Sequence, residues 1–514
     1  GYTGYRPAQI WVADLPDLAT LGVAPQPTTA SPQATAKAPT ASSPMPSQMA
    51  TRIRRISPDD AWYGDPQWSP DGKSIVVHAN RTDDRESVRF SINKNYDLWS
   101  LDVAGASPPR QLTAGPGPEV SPRWSPDGRR LACLSSPRKG PHADVFNLAI
   151  VDAAAPTPQM TVVYDHHAAD QGGERGDEKK PYPQFPLADD CWLSNKQLVF
   201  TAPLGVTSGQ FVATVGAGMN GASKPAAVER LPADSRPLQR AATASRLLPR
   251  MPSVLAQRRL GTTVRVEWKS SDGLAIDGLL TTPPEGVASA PYKLVVFPHG
   301  GPHSRATQGF NFTVELFAAH GYAVFQPNFR GSQGYGRKFL DSDRNDFGGG
   351  DMRDILSGID HLVETKQVDP KRQYVYGVSY GGYMTTWLVG QTTQFRAAVA
   401  QNAVTDLTMM WSLSDLQSWT EWEFGGRPSE KPEAMRKHSP LTYVDKIKTP
   451  TLLLHSRDDR RCPLPMGRAF HQSLLKAGVP TQLVIYPDEG HGIKQPKHRE
   501  DVLRRTLAWF AEHP

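Results

Sequence analysis

Tyr374-Val-Tyr-Gly-Val-Ser379-Tyr-Gly-Gly382 reads as a strand, a sharp turn and the approach to a helix. Alternating aromatic and β-branched residues build the strand Gln373–Gly377, and the apolar run Tyr383–Gly390 builds the helix. Between them, Gly377-Val-Ser379-Tyr-Gly381 has the spacing of a nucleophile elbow. There, small residues let a strained turn raise the serine hydroxyl above the edge of a sheet. Five residues are short enough to recur by chance, so the surroundings decide.

An elbow serine needs a base and a group to orient that base, and in this kind of sheet both follow it in chain order. Thr451-Leu-Leu-Leu-His455 is a buried strand that runs into Ser456-Arg457-Asp458-Asp459. An acid just beyond the carboxyl end of a strand stands on the face where such sheets keep their sites. The strand Gln482–Tyr486 then leads into Pro487-Asp-Glu-Gly-His491-Gly492, a histidine in a glycine-flanked loop. His455, His471 and His498 lie within a strand or helices and are poorer candidates for the base. The oxyanion of an acyl transfer needs two backbone donors. One is the amide of Tyr380, after the nucleophile. The other is expected from Phe297-Pro-His-Gly-Gly301-Pro302, where glycines let the backbone approach an acyl oxygen. Loss of one such donor typically costs ~10²–10³ in rate.

Outward from the elbow, strands alternate with helices from Thr263 to the C-terminus. Strands are expected at Lys293–Phe297, Ala323–Gln326 and Ala397–Gln401. Helices are expected at Thr313–His320, Asp351–Lys366, Leu464–Ala477 and His498–His513. In Asp351–Lys366 the residues Ile355, Ile359, Leu362 and Val363 share one face. Such alternation implies a mostly parallel sheet covered on both sides, so residues 260–514 are expected to form an α/β hydrolase domain, opened by a hairpin around Asp272-Gly273.

Residues 1–259 have another texture. Trp68-Ser-Pro-Asp-Gly72 recurs as Trp124-Ser-Pro-Asp-Gly128, with a degraded third copy at Cys191-Trp-Leu-Ser-Asn195. Asp97-Leu-Trp-Ser-Leu-Asp102 recurs as Asn147-Leu-Ala-Ile-Val-Asp152 and opens the chain as Gln9-Ile-Trp-Val-Ala-Asp14. Strand, Asp-Gly turn and strand at a period near 50 residues is the pattern of radially repeated β blades. The expectation is an all-β, propeller-like domain with three readable blades and one partial blade. Arg110-Gln-Leu-Thr113 follows Asp102 closely, whereas Arg54-Arg-Ile-Ser57 follows Asp14 at a distance. The difference matches the Ala/Pro/Thr/Ser-rich tract 23–50, read as an unstructured insertion within a blade. Residues 207–259 are read as an irregular segment without period-2 runs.

The 514 residues allow two to four domains. Glycine (43) and proline (47) are in excess, in line with many turns. A net charge of +6 from 57 basic and 51 acidic residues is weak at this length, and nucleic acid and anionic membranes are not expected partners. Three cysteines cannot build a disulfide scaffold or a structural zinc site. Asp165-His166-His167 has no second ligand cluster beside it, and Gly348-Gly-Gly350 lacks the Lys-Ser/Thr of a phosphate loop, so neither a metal nor a cofactor is expected. No window has the ~18–20 apolar residues of a spanning helix. With no initiator Met and no leader at Gly1, the chain reads as a processed product or a fragment of a soluble protein. Its compartment, whether periplasmic, secreted or cytoplasmic, is left open.

These residues together resemble the prolyl oligopeptidase family of serine peptidases, closest to the branch of acylaminoacyl peptidases and bacterial dipeptidyl aminopeptidases. The matching phrases are His299-Gly-Gly-Pro302, Asn328-Phe-Arg-Gly-Ser-Gln-Gly-Tyr-Gly336, Gly377-Val-Ser-Tyr-Gly-Gly382, Glu421-Trp-Glu-Phe-Gly-Gly426, Ser439-Pro-Leu-Thr-Tyr443 and Gly490-His-Gly492. The resemblance implies Ser379 as nucleophile, His491 as base and Asp459, rather than Asp458, as the acid. It implies Tyr380 and Gly301 as oxyanion donors, Arg461 as a ligand of a substrate carbonyl, and Trp419, Trp422 and Phe424 as lining of the pocket before the cut bond. The implied activity is hydrolysis of short peptides through an acyl-enzyme, with the propeller as a lid. Departures are Ser456 for the usual glycine, Cys462 for a common valine, and a short propeller. A carboxylesterase using the same triad, or an inert hydrolase with an interaction propeller, remains the alternative, and an oligomer is left open. For a free substrate amine, Asp83, Asp84, Glu86, Asp189 and Asp190 are available as anchors.

Overall fold

Two kinds of sheet divide the chain. The structure, a computed structural model, describes residues 9–13, 53–59, 61–81, 96–115, 117–137, 146–165, 183, 186–215, 227–231 and 258–514. The tract 23–50, the acids Asp83, Asp84 and Glu86, and His166 and His167 lie outside the described residues.

Among the described residues, the first fourteen strands are antiparallel. Strands β1 (Trp11–Ala13) and β2 (Ile53–Arg55) form a two-stranded pair. Next come three four-stranded sheets: β3 (Trp62–Trp68), β4 (Ser74–Asn80), β5 (Asp97–Asp102) and β6 (Arg110–Gln111); β7 (Glu119–Trp124), β8 (Arg130–Ser135), β9 (Asn147–Asp152) and β10 (Gln159–Tyr164); β11 (Trp192–Ser194), β12 (Gln197–Leu204), β13 (Thr207–Thr214) and β14 (Ala227–Arg230). The two identical phrases make the same turn twice. Ser69 and Ser125 each donate to the aspartate two residues on, at 2.6 Å, and Gly72 and Gly128 stand at φ 69° and 68°. An L side chain is disfavoured at such a φ. The early phrase at Gln9 pairs with residues 53–55 as β5 pairs with β6, so β1 and β2 correspond to the last two strands of a blade.

Period-2 alternation then stacks the sheets in order. Ile75 and Val77 of β4 pack towards Ile10 and Val12, whereas Val76 packs towards Leu131 and Cys133 of β8. Ala132 and Leu134 of β8 pack in turn against Leu198, Phe200 and Phe211. Strands β4 and β8 therefore bury both faces, one against each neighbouring sheet. The expected irregularity of 207–259 is corrected for residues 207–214 and 227–230, while 216–226 and 232–257 lie outside the described residues. Residues Thr207–Thr214 pair along their whole length with Gln197–Leu204, and Ala227–Arg230 adds a fourth strand. The inward residues of β13 are Gly209, Phe211 and Ala213, and two of these are too small to register as an apolar alternation.

The C-terminal sheet has eight strands in the order β15-β16-β18-β17-β19-β20-β21-β22. They are β15 (Thr262–Lys269), β16 (Ala275–Thr282), β17 (Tyr292–Val296), β18 (Tyr322–Asn328), β19 (Val368–Val378), β20 (Phe395–Gln401), β21 (Thr451–Ser456) and β22 (Thr481–Tyr486). The first three in that order are antiparallel and the rest parallel. Nine helices connect them: α1 (Phe312–Ala319), α2 (Arg337–Leu340), α3 (Gly350–Glu364), α4 (Tyr380–Gln391), α5 (Leu407–Leu413), α6 (Gln417–Phe424), α7 (Pro432–Lys437), α8 (Leu464–Lys476) and α9 (Pro496–Glu512). Leu294, Val296, Val375, Ala398, Ala400 and Leu453 face one helical layer, with Ile355 and Ile359 of α3, Met384 and Leu388 of α4 and Phe470 of α8. Val295, Tyr374, Tyr376, Val399, Leu452 and Leu454 face the other, with Phe317 of α1 and Trp509 and Phe510 of α9. Burial on both faces is why these strands read as continuous apolar runs.

Candidate active site

Ser379 sits at the carboxyl end of β19, at φ 63° and ψ −122°, and α4 begins at the next residue. A non-glycine residue held at such a φ is strained, and strain of this kind persists only where the surroundings impose it. Here they do. A Cβ at Gly377 would overlap the carbonyl oxygen of Gly381, and one at Gly381 would overlap that of Pro298. The helix therefore starts three residues earlier than its apolar run implies, because the close approach of the glycines lets the chain turn straight into it.

The loops after β21 and β22 bring the acid and the base to this point. His491 Nε2 lies 2.9 Å from Ser379 Oγ, and its Nδ1 lies 2.9 Å from Asp459 Oδ2. Asp459 Oδ1 accepts the amides of Arg461 (2.8 Å) and Cys462 (2.9 Å), which leaves Oδ2 for the imidazole. Its carboxylate is wholly buried. Asp458 points elsewhere and pairs with Arg457 at 3.4 Å. Since a carboxylate only accepts, Nδ1 carries the proton and the Nε2 lone pair faces the serine hydroxyl. Burial, and then the nearby Asp459 charge, push the Cys462 thiol well above its usual range, so it stays protonated beside the serine.

The loop after β17 runs along the other side. A Cβ at Gly300 would stand 3.5 Å from Ser379 Cβ, so this backbone passes in contact with the nucleophile, with Gly301 next to it at φ 126°. The amide of Tyr380 lies in the first turn of α4, where N–H groups have no acceptor within the helix. Its ring is fully packed, stacked on Tyr383 at 5.0 Å, and its hydroxyl donates to Asp351 Oδ2 at 2.5 Å. Burial pushes the Asp351 carboxyl up to about 7. His299 stacks on Phe329 at 4.3 Å, and burial brings its pKa down to about 4. Nδ1 donates to the Gly300 carbonyl (2.8 Å), and Nε2 lies 2.8 Å from Ser332 Oγ, whose hydroxyl donates to the Phe329 carbonyl (2.6 Å).

The residues implied for substrate binding fall out differently. Arg461 is two residues past Asp459, but its guanidinium is engaged by Asp415, at 2.6 Å from Nε. Trp419 and Phe424 are packed into the core around Phe347 (5.6 and 5.2 Å), whose ring contacts Tyr380. With 6% and 1% of their surface exposed, they back the site as a wall and do not present open faces to a substrate. Trp422 is partly open and carries the Arg344 guanidinium over its ring at 4.2 Å. Asp189 pairs with Arg123 at 3.1 Å. One site residue escaped the sequence reading. Asn402, just beyond β20 at φ 46°, donates to the His491 carbonyl (2.8 Å) and accepts the Ser456 amide (2.8 Å). A polar residue at a strand end was the only signal for it.

A serine elbow on a mostly parallel sheet, with an aspartate and a histidine delivered by later loops, defines an α/β hydrolase of the serine type. Residues 308–514 match the pattern of the prolyl oligopeptidase family. The chain is 34% identical over 253 residues to the uncharacterized peptidase YuxL of Bacillus subtilis, covering 48% of this chain and 38% of that one. It is 26% identical over 495 residues to dipeptidyl-peptidase 5 of Porphyromonas gingivalis, covering 88% of this chain and 68% of that one. It thus spans well under half of the first relative and about two thirds of the second. The fold is similar to that of Pyrococcus horikoshii acylaminoacyl peptidase, with TM-score 0.68, 24% identity, and coverage of 87% of this chain and 70% of that one. No helix among the described residues is long and apolar enough to cross a membrane.

Proposed function

We propose that the chain is a serine exopeptidase that hydrolyses short peptides through an acyl-enzyme. The observation that carries this reading is the pair of 2.9 Å contacts joining Ser379, His491 and Asp459. His491 takes the Ser379 proton as the hydroxyl oxygen attacks a peptide carbonyl. Asp459 holds the ring tautomer and balances the imidazolium that forms. The tetrahedral oxyanion is held by the Tyr380 amide and the backbone at Gly301. His491 then passes its proton to the departing amine, and water, activated by the same histidine, releases the acyl group from Ser379. Its likeness to a dipeptidyl-peptidase and to an acylaminoacyl peptidase supports short peptides, trimmed from a free or a blocked N-terminus, as the substrate class.

The test uses a fluorophosphonate probe with free and N-acetylated peptide anilides and short acyl esters. The wild-type protein labels and turns over anilides. Ser379→Ala abolishes the label and lowers turnover by at least ~10⁴-fold. Turnover of esters alone defeats the peptidase reading, and an unlabelled Ser379 defeats the mechanism.

A further inference from the structure

Behind the loop that carries Gly301, three side chains from distant parts of the chain meet in the protein interior. His303 lies two residues past Gly301, Asp343 lies just past α2, and Glu423 lies in α6. One ligand atom from each comes within 4.8 Å of the others. His303 Nε2 stands 3.6 Å from Asp343 Oδ1 and 3.9 Å from Glu423 Oε1. These separations are longer than hydrogen bonds. They are close to the ~3.4 Å edge of a tetrahedron with ~2.1 Å metal–ligand bonds.

The Asp343 carboxylate has no exposed surface, and neither of its oxygens has a hydrogen-bond partner among the described residues. A buried carboxylate left that way is costly unless a cation faces it. Gly331 provides the room: a Cβ there would fall 2.5 Å from Asp343 Oδ2. We propose that His303, Asp343 and Glu423 bind one divalent transition cation of the zinc type. An imidazole with two carboxylates suits zinc or manganese, whereas calcium takes six to eight oxygens. The cation ties the loop after β17, the turn before α3 and helix α6 together. It reaches the chemistry by holding the loop beside Ser379 in place and touches no reacting atom.

The test uses the Ser379→Ala protein, so its outcome does not depend on the hydrolytic reading. Protein stripped with dipicolinate is titrated with ZnCl₂ and with MnCl₂ by calorimetry, and its Tm is followed. One tight site per chain is expected, with a Tm increase of at least about 5 °C at 100-fold excess over Kd. Asp343→Asn and Glu423→Gln, added singly, should abolish that site and leave only weak binding. Absence of one-to-one binding and of any Tm shift with both ions overturns the proposal, as does undiminished binding in Asp343→Asn. Should the variants not fold, zinc K-edge absorption of the zinc-loaded protein decides. Nitrogen and oxygen ligands including one imidazole support the site, and water-only coordination overturns it.

Discussion

At Ser379 a strained backbone and three glycines act as one device. Gly377 and Gly381 are needed because carbonyl oxygens occupy the space of their Cβ atoms, and Gly382 because Ala403 and the Gln401 carbonyl do. Alongside runs His299, whose neutral ring carries the hydrogen bonds to Gly300 and Ser332. Burial lowers its pKa to about 4, below the ~6.5 of an unfolded histidine. Between those values the unfolded chain binds the extra proton, so stability falls as pH drops through the window, by up to about 3 kcal/mol. Denaturant unfolding of wild type and His299→Gln at pH 7.5 and at pH 4 (roughly the edges of that window) checks this. The stability gap between them should narrow in acid, and a gap independent of pH would rule the idea out. The phrase Asn328-Phe-Arg-Gly331 stands out in the sequence, but its reasons are spatial. Asn328 accepts the Ala306 amide (2.7 Å), Phe329 stacks on His299, Arg330 binds Asp354 through two nitrogens (2.9 and 2.7 Å), and Gly331 makes way for Asp343.

At the scale of elements, the site is where the ends of four parallel strands meet. Loops after β17, β19, β21 and β22 supply the groups, and Asn402 after β20 ties the last two loops together. Asn402→Ala removes the hydrogen bonds to the His491 carbonyl and the Ser456 amide. Leaving those buried groups unpaired should cost ~1–3 kcal/mol. With His491 less well placed, kcat should fall by roughly 10–100-fold with little change in KM. Steady-state kinetics beside a melting curve separates the two effects. A lower Tm with kcat intact would make the clamp purely structural. Long apolar strands such as β21 were legible because burial on both faces leaves a continuous run. Strand β13 was not, because Gly209 and Ala213 hold its inward positions.

Across the whole molecule, the turn between β12 and β13 grips the loop that borders Ser379. Arg305 donates to the carbonyls of Gly205 (2.7 Å) and Thr207 (2.9 Å) and to Ser208 Oγ (2.8 Å). Gly205 donates to the Gly334 carbonyl (3.0 Å), and Val206 packs with Leu279 and Ala306. Arg305→Ala should weaken this junction by ~1–3 kcal/mol. Calorimetry is then expected to resolve two unfolding transitions, blades and hydrolase, where the wild type shows one. An unchanged single transition would mean that the remaining contacts carry the coupling.

Local chemistry was enough to announce the elbow, the order of serine, aspartate and histidine, the two sheet types and the repeated Asp-Gly turns. Each depends on residues adjacent in the chain, where backbone sterics and periodic burial leave a readable pattern. The resemblance already favoured Asp459 over Asp458, and packing sets Asp459 against the imidazole. Packing alone decided that Trp419 and Phe424 back the site from the core, and that Arg461 is held by Asp415. Packing alone also gathered His303, Asp343 and Glu423. Such outcomes are set by which loops the sheet brings side by side, and residues 40 or 80 positions apart leave no local trace of that.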